Sequence, residues 1–544
     1  MKKLAPAAPW AVFVPAFAVY AFTAYPAIAP RDSADLASAA LTLGVAHPPG
    51  YPLYSSLGRL WLALIPFGGA AYRLNLLSAA AGSAAAALLC RLLMRRLAPG
   101  AAALGALCFA FAAGPWKFAE LSEMYSLHAL FICALLLLAE GEDGTQARRA
   151  AATGLLFGAG LVNHQALILL APALLWLWRG RLAERASTLA AFTAAGLGLE
   201  LFVLVRLGDA PLAWRVLTRA DYGPFELFKG FSAPLSGAGA ARLDWASLAG
   251  LAVVCPFAAL WPVGLWRARK EPRAVGLALA LAAFGPFFFM MTRFDLSSWV
   301  ARTVLEPAYI APALVACLLS AEALAGLPER AATSAAAAAL VLTVALNAGA
   351  AYHRDDFLAY DYVRDLRARL PEHSAAIVKG DTALFGLKYL NCLDPAVTRT
   401  LRGTLDEDNP GWVAASLARE PDRPIFAVGM PEAELEALAA PAGAALSVEG
   451  PVVRIVPRGA APPPAPGWEL SVLRRSRSFT RRESYARDVI LARGFAHYLL
   501  GGLTERAGGD PTLEYVRAAA VDPEDYMIEW QPAKTYNPRR APRR

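Results

Sequence analysis

Charge is scarce in this chain: 18% of its 544 residues are Asp, Glu, Lys or Arg, against about 25% in an ordinary soluble protein. Hydrophobic residues make up 57%, more apolar surface than one soluble chain of this length can use, so a purely soluble protein is excluded. Cysteine is equally thin. Of Cys90, Cys108, Cys133, Cys255, Cys317 and Cys392, the first five sit in apolar segments and none has CxxC or Cys/His spacing. They read as small core hydrophobes, not as a disulfide framework or a zinc site. GxxxxGK, HExxH and GxSxG are all missing, which removes P-loop, zincin and nucleophile-elbow chemistry. No basic helix is interleaved with aromatics, so the formal charge of +8 is not a nucleic-acid surface.

What the chain does have is a long series of apolar segments from Trp10 to Tyr352, followed by mixed, charged sequence. The pattern predicts an α-helical polytopic membrane protein. Expected spans are 10–28, 74–96, 101–115, 124–139, 151–162, 165–178, 187–207, 247–266, 274–291, 303–323 and 331–350, or about eleven crossings. The first resembles a signal peptide ending at Ala27-Ile28-Ala29, but Pro30 directly after that point argues for a retained span. Lys2/Lys3, Arg95/Arg96, Arg148/Arg149, Arg179/Arg181/Arg185 and Arg267/Arg269/Lys270/Arg273 fall in alternate loops. The positive-inside rule puts them and the N-terminus in the cytoplasm of a bacterial inner membrane protein. Parity rests on 151–178, which is either one long tilted helix with Asn163-His164-Gln165 at mid-bilayer or, as expected here, two short helices meeting at that triplet on the outer side.

Residues 1–350 are thus the membrane part, with a first outer loop at 29–72; 351–460 follows as an extracytoplasmic α/β domain. There AYDYVRDLRARL has helical periodicity, and AAIVKG, RPIFAVG and LSVEGPVVRIVP read as strands. A proline-rich linker occupies 461–467, and 468–544 reads as a helical segment with a basic tail.

The outer loops carry the polar motifs. The first, RDSADLASAALTLGVAHPPGYPLY, places Asp32 and Asp35 on one face of a helix start and holds His47 extended before Pro48 and Pro49. WKFAELSEMY contributes Lys117, Glu123 and Tyr125, with Glu120 as a secondary neighbour; NHQ contributes Asn163 and His164. The fourth loop holds Arg206 and Tyr222, and the fifth Arg293 and Arg302. Convergent polar loops on one face suit an active site at the membrane surface, and equally an outward-open transporter.

Taken in order, RDSADL, LGVAHPPGYPLY, RLNLLSA, SEMYSLHALF and GLVNHQALILLAPAL resemble the bacterial membrane family DUF2723, which is similar to the TMEM260-type protein O-mannosyltransferases. The HPP element behind an acidic loop also looks like that of the protein O-mannosyltransferases. The resemblance covers roughly residues 10–230, and DYVRDLRARLPEHSAAIVKGD more loosely. It implies a GT-C-like fold and a polyprenyl-phosphate-linked sugar donor. Where that family has Gly-Asp-Ser-Gly-Glu, this chain has Arg31-Asp32-Ser33-Ala34-Asp35, so the second acid is one methylene shorter.

Transfer of a hexose, such as mannose, from a lipid phosphate to a protein, glycan or lipid hydroxyl needs a base near the acceptor and donors for the departing phosphate. Asp32 is expected as the base, Asp35 as an acceptor-positioning acid or a ligand to a divalent metal, and His47 as the residue that orients substrate or donor phosphate. Glu123, Tyr125, Asn163, His164 and Tyr222 are expected to bind the sugar; Arg293, Arg302, Arg206 and Lys117 the phosphate. A helix-capping role competes for Asp32, and headgroup contact for each arginine. Two other classes stay open: a transporter or flippase of a lipid-linked saccharide, which predicts inverted repeats that the chain does not display, and a non-catalytic assembly factor.

Overall fold

The computed structural model describes residues 7–141, 145–220, 255–292, 304–394, 396–397, 399–404 and 408–457, with 489, 494, 497–502, 504–505 and 508–521. The chain folds as two units. Unit one is Met1–Pro26 with Ala39–Arg354; unit two is Ala27–Ser38 with Asp355–Arg544. The segment carrying Asp32 and Asp35 groups with the C-terminal part of the chain.

Unit one is helical, and its helices follow the order of the expected spans. The first, Ala8–Thr23, stops short of Ile28, because Pro26 disfavours helical geometry at Tyr25. Among the described residues, five helices are long and apolar enough to cross a membrane: Ala70–Leu93, Leu182–Leu207, Pro272–Met291, Glu306–Leu324 and Glu329–Asn347. A sixth is the pair Pro99–Ala110 and Ala113–Ala119, bent by 70°. Ala8–Thr23, Tyr125–Glu140 and Gln165–Trp178 are apolar but shorter. The start of the expected span 247–266 lies outside the described residues.

Every residue from Ile310 to Leu324 is buried, as expected for a helix apolar on all sides and placed at the centre of its bundle. Leu182–Leu207 does the opposite and exposes Phe192, Leu201 and Val205, a surface suited to hydrocarbon. It lies against Gln146–Asn163 at Gly154, Gly158 and Gly196; a Cβ on Gly196 would sit 2.5 Å from the Leu155 carbonyl oxygen and 2.6 Å from the Ala159 nitrogen. Backbones approach this closely only through small residues. At one end of the unit, Arg273 Nε lies 3.0 Å from Glu140 Oε2 and Arg96 Nε 3.1 Å from Glu322 Oε1, while Arg273 also pairs with Glu322. Arg149 donates to the Leu138 carbonyl at 2.6 Å and Arg267 to that of Ala323 at 2.7 Å. Arginines from three of the loops expected on the cytoplasmic side thus gather at one end and close helix C-termini whose carbonyls lack partners.

Unit two is built on a five-stranded sheet of order β2-β1-β3-β5-β4: β1 Ala375–Val378, β2 Thr400–Gly403, β3 Ile425–Val428, β4 Ala445–Val448 and β5 Val452–Val456. β1 runs parallel to β2 and β3, while β5 is antiparallel to both β3 and β4. The central strands AAIV and IFAV are buried throughout, the continuous apolar signature of strands covered on both faces. Helices Asp381–Cys392 and Asn409–Arg419 make the parallel crossovers, and Val413, Leu435 and Leu438 join Ile377, Ile425 and Ile455 in one core.

Candidate active site

In unit two, Asp32 directly precedes the helix Ser33–Thr42. Its carbonyl accepts from the amides of Asp35 and Leu36 at 3.0 and 3.1 Å, so it occupies the N-cap position. Asp32 is half-buried, whereas Asp35 in the first turn is 6% exposed. The stretch is tied down by the Arg31 amide, which donates to Thr382 Oγ1 at 2.8 Å. Asp35 also lies near enough to Cys392 to help burial push that thiol above its ordinary range.

In unit one, the HPPGYP element forms a compact turn. The Gly50 amide donates to the His47 carbonyl at 2.8 Å and the Ala46 amide to that of Gly50 at 3.2 Å. Gly50 adopts φ +100° against Val45 and Val203, a conformation and a space that favour glycine. The His47 ring lies 5.0 Å from that of Tyr51, and a helix begins at Pro52.

Glu123 is the centre of a buried polar group. Its carbonyl accepts from Ser78 Oγ at 3.2 Å, and its amide donates to the same oxygen at 3.4 Å. Ser122 Oγ donates to Asn75 Oδ1 at 2.7 Å, and Asn75 Nδ2 to the Tyr25 carbonyl at 2.8 Å. The Tyr54 hydroxyl faces Ser78, Ser122 and Glu123; burial raises its pKa, so the phenol stays protonated. Asn75, Ser78, Ser122 and Tyr54 were not expected as site residues. Their signal is in the sequence: Asn75 and Ser78 stand at i, i+3 in an apolar span, where polar side chains are costly and share a face.

Glu120 has a different environment. It is fully buried, with Oε2 2.8 Å from His353 Nδ1, and it accepts from Thr23 Oγ1. The His353 ring stacks on Tyr25 at 4.2 Å and its amide donates to the Thr23 carbonyl at 2.8 Å. Burial raises the Glu120 pKa while His353 opposes the shift. This carboxylate ties the end of the first helix to the point where the chain leaves unit one.

The break expected at Asn163-His164-Gln165 is present: one helix ends at Asn163, His164 is extended and a 3-10 turn begins at Gln165. Asn163 is buried and donates through Nδ2 to the Met124 carbonyl at 3.2 Å. The His164 ring lies 5.4 Å from Tyr125 and 4.9 Å from His128, a neighbour not singled out in the sequence. Lys117 pairs with Glu306 at 2.8 Å, and Arg206 donates to the Thr42 carbonyl at 3.3 Å. Tyr222, Arg293 and Arg302 lie outside the described residues. Among the described residues there is no group of three or more His, Cys, Asp or Glu side chains able to hold a metal ion.

The apolar helices of unit one and the small α/β unit are those of a multi-pass membrane protein with a C-terminal α/β domain. Residues 32–187 match the family described as "Protein O-mannosyl-transferase TMEM260 N-terminal domain", the resemblance read from the motifs. The chain is 34% identical over 244 residues to the Protein O-mannosyl-transferase TMEM260 of Mus musculus, covering 40% of this chain and 35% of that protein. It is 26% identical over 260 residues to the Dictyostelium discoideum protein of the same description, covering 40% and 31%. The chain therefore spans about a third of the length of these relatives. In fold it is similar to ArnT from Cupriavidus metallidurans bound to undecaprenyl phosphate, with a TM-score of 0.54 at 16% identity, covering 84% of this chain and 99% of that one. The apo state of ArnT gives a TM-score of 0.56 at 14% identity with the same coverage.

Proposed function

We propose that the protein is a membrane glycosyltransferase that moves a hexose, by analogy mannose, from a polyprenyl-phosphate-linked donor to a protein hydroxyl on the extracytoplasmic face of a bacterial inner membrane. The observation that carries this reading is the match of residues 32–187 to an O-mannosyltransferase domain, since that stretch contains Asp32, Asp35, His47, Lys117, Glu123, Tyr125, Asn163 and His164.

In the reaction the acceptor oxygen attacks the anomeric carbon, and the bond from that carbon to the phosphate oxygen breaks. The hydroxyl proton passes to Asp32 and the polyprenyl phosphate leaves as an anion. Asp32 is half-buried at the start of the helix Ser33–Thr42, a position that fixes its backbone while leaving part of the residue open to an incoming acceptor. Asp35 positions the acceptor loop and His47 orients the donor. Glu123, Tyr125, Asn163, His164 and Tyr222 bind the sugar hydroxyls. Arg206, Arg293 and Arg302 offer cations to the phosphate, and Lys117, shared with Glu306, is the weaker candidate. The gathering of loop arginines at one end of unit one supports a cytoplasmic N-terminus.

The test is transfer by the full-length protein in liposomes, with radiolabelled polyprenyl-phosphate mannose and a serine- or threonine-bearing acceptor peptide. Asp32→Asn should leave the melting temperature and donor binding unchanged and slow transfer by about 10²–10⁴-fold. A folded Asp32→Asn protein that transfers at the full rate overturns the mechanism.

A further inference from the structure

A groove of about 770 Å³ opens on unit one among the helices Ala8–Thr23, Ala70–Leu93 and Tyr125–Glu140, and it shares no residue with the candidate site. Ala84 and Ala87 line it from Ala70–Leu93, Phe13 from Ala8–Thr23, and Leu130 and Leu137 from Tyr125–Glu140; the two alanines are the smallest side chains of that lining. Arg91 lies one i, i+7 step beyond Ala84 on the same helix face. At 1.5 Å per residue the groove therefore runs roughly 10 Å along the helix, most of the roughly 15 Å hydrocarbon depth of one leaflet.

The groove is chemically polarised. Ala84, Ala87 and Leu130 give it an apolar stretch, whereas Trp10, Arg91 and Arg95 lie where the first helix begins and Ala70–Leu93 ends. Trp10 is 67% exposed, as is common for an aromatic at headgroup level. Arg95 leans on Glu140, with Nε 3.5 Å from Oε2. Arg91 is exposed and has no ion pair or hydrogen bond among the described residues. An apolar trough ending at an uncommitted guanidinium matches a ligand with a hydrocarbon chain and an anionic head. A packed protein helix would cover the guanidinium, whereas a lipid leaves it at the interface, where its charge is soluble.

We propose that this groove holds one anionic diacyl phospholipid, with an acyl chain over Ala84 and Ala87 and its phosphate on Arg91 beside Arg95. The site is independent of the glycosyltransferase reading.

The experiment reconstitutes the full-length protein in nanodiscs of equal parts phosphatidylglycerol and phosphatidylcholine, and reads retained lipid by native mass spectrometry. Phosphatidylglycerol should be enriched about fivefold, the equivalent of about 1 kcal/mol for one basic residue near a lipid surface. Arg91→Gln, at an exposed position, should bring the ratio to parity, and Arg91→Lys should keep most of it. Ala87→Trp should abolish retention by filling the trough with Arg91 intact. Arg330→Gln, also exposed but outside the groove, should change nothing. The proposal is overturned by parity in the unaltered protein, by an equal loss with Arg330→Gln, or by undecaprenyl phosphate displacing phosphatidylglycerol.

Discussion

Glu120 and Glu123 stand three residues apart and do different work. Glu123 sits among hydroxyls and amides, a setting able to exchange hydrogen bonds with a ligand. Glu120 is committed to His353 in a site closed to water. Removing one partner of such a pair leaves the other buried and uncompensated. Glu120→Ala should therefore destabilise unit one by about 3–5 kcal/mol, read as unfolding in detergent, and Glu120→Ala/His353→Ala should lose less than the sum of the single variants. Additive losses would show that the two side chains do not act as a pair. Nothing in ELSEMY distinguishes the two acids, because the partner of Glu120 lies more than two hundred residues further on.

At the scale of elements, most of the architecture was legible. Hydropathy placed the helices in order, and the polar triplet Asn163-His164-Gln165 marked a real break, since a helix carrying three polar groups side by side in hydrocarbon would have had to satisfy them. AAIV and IFAV announced the central strands. β2 was missed because TLRG is short, half-buried throughout and free of alternation. Helix ends were set by prolines and by packing, as at Thr23. Packing also yields a prediction that the hydropathy pattern does not. Gly196→Val should force Leu182–Leu197 away from Gln146–Asn163 and cost about 1–3 kcal/mol or more, seen as a lower melting temperature. Ala190→Val, at an exposed position of the same helix, should have little effect. Equal tolerance of both would mean that the close approach is not required.

For the whole molecule, the informative fact is that unit two is discontinuous in sequence. Ala27–Ser38 belongs with Asp355–Arg544, anchored by the Arg31 amide on Thr382. Local periodicity could not reveal this, because membership of a unit is decided by tertiary contacts. A fragment of residues 355–457 should consequently melt lower than the same unit in the full chain, and a peptide of residues 27–38 added in trans should raise its melting temperature by mass action. A scrambled peptide should not. Failure of the native peptide to act would reassign the segment to the helices that follow it.

That discontinuity also has a meaning in time. Ala27–Ser38 leaves the ribosome early, yet its partners appear only after the whole of Ala39–Arg354 has been made and inserted. At about 5–20 residues per second this is a wait of roughly a quarter of a minute to a minute. Throughout it, the acid proposed to run the chemistry has no settled surroundings. A chain cut short before Thr382 cannot complete the environment of Asp32, so truncated products would be inert however well their helices were inserted.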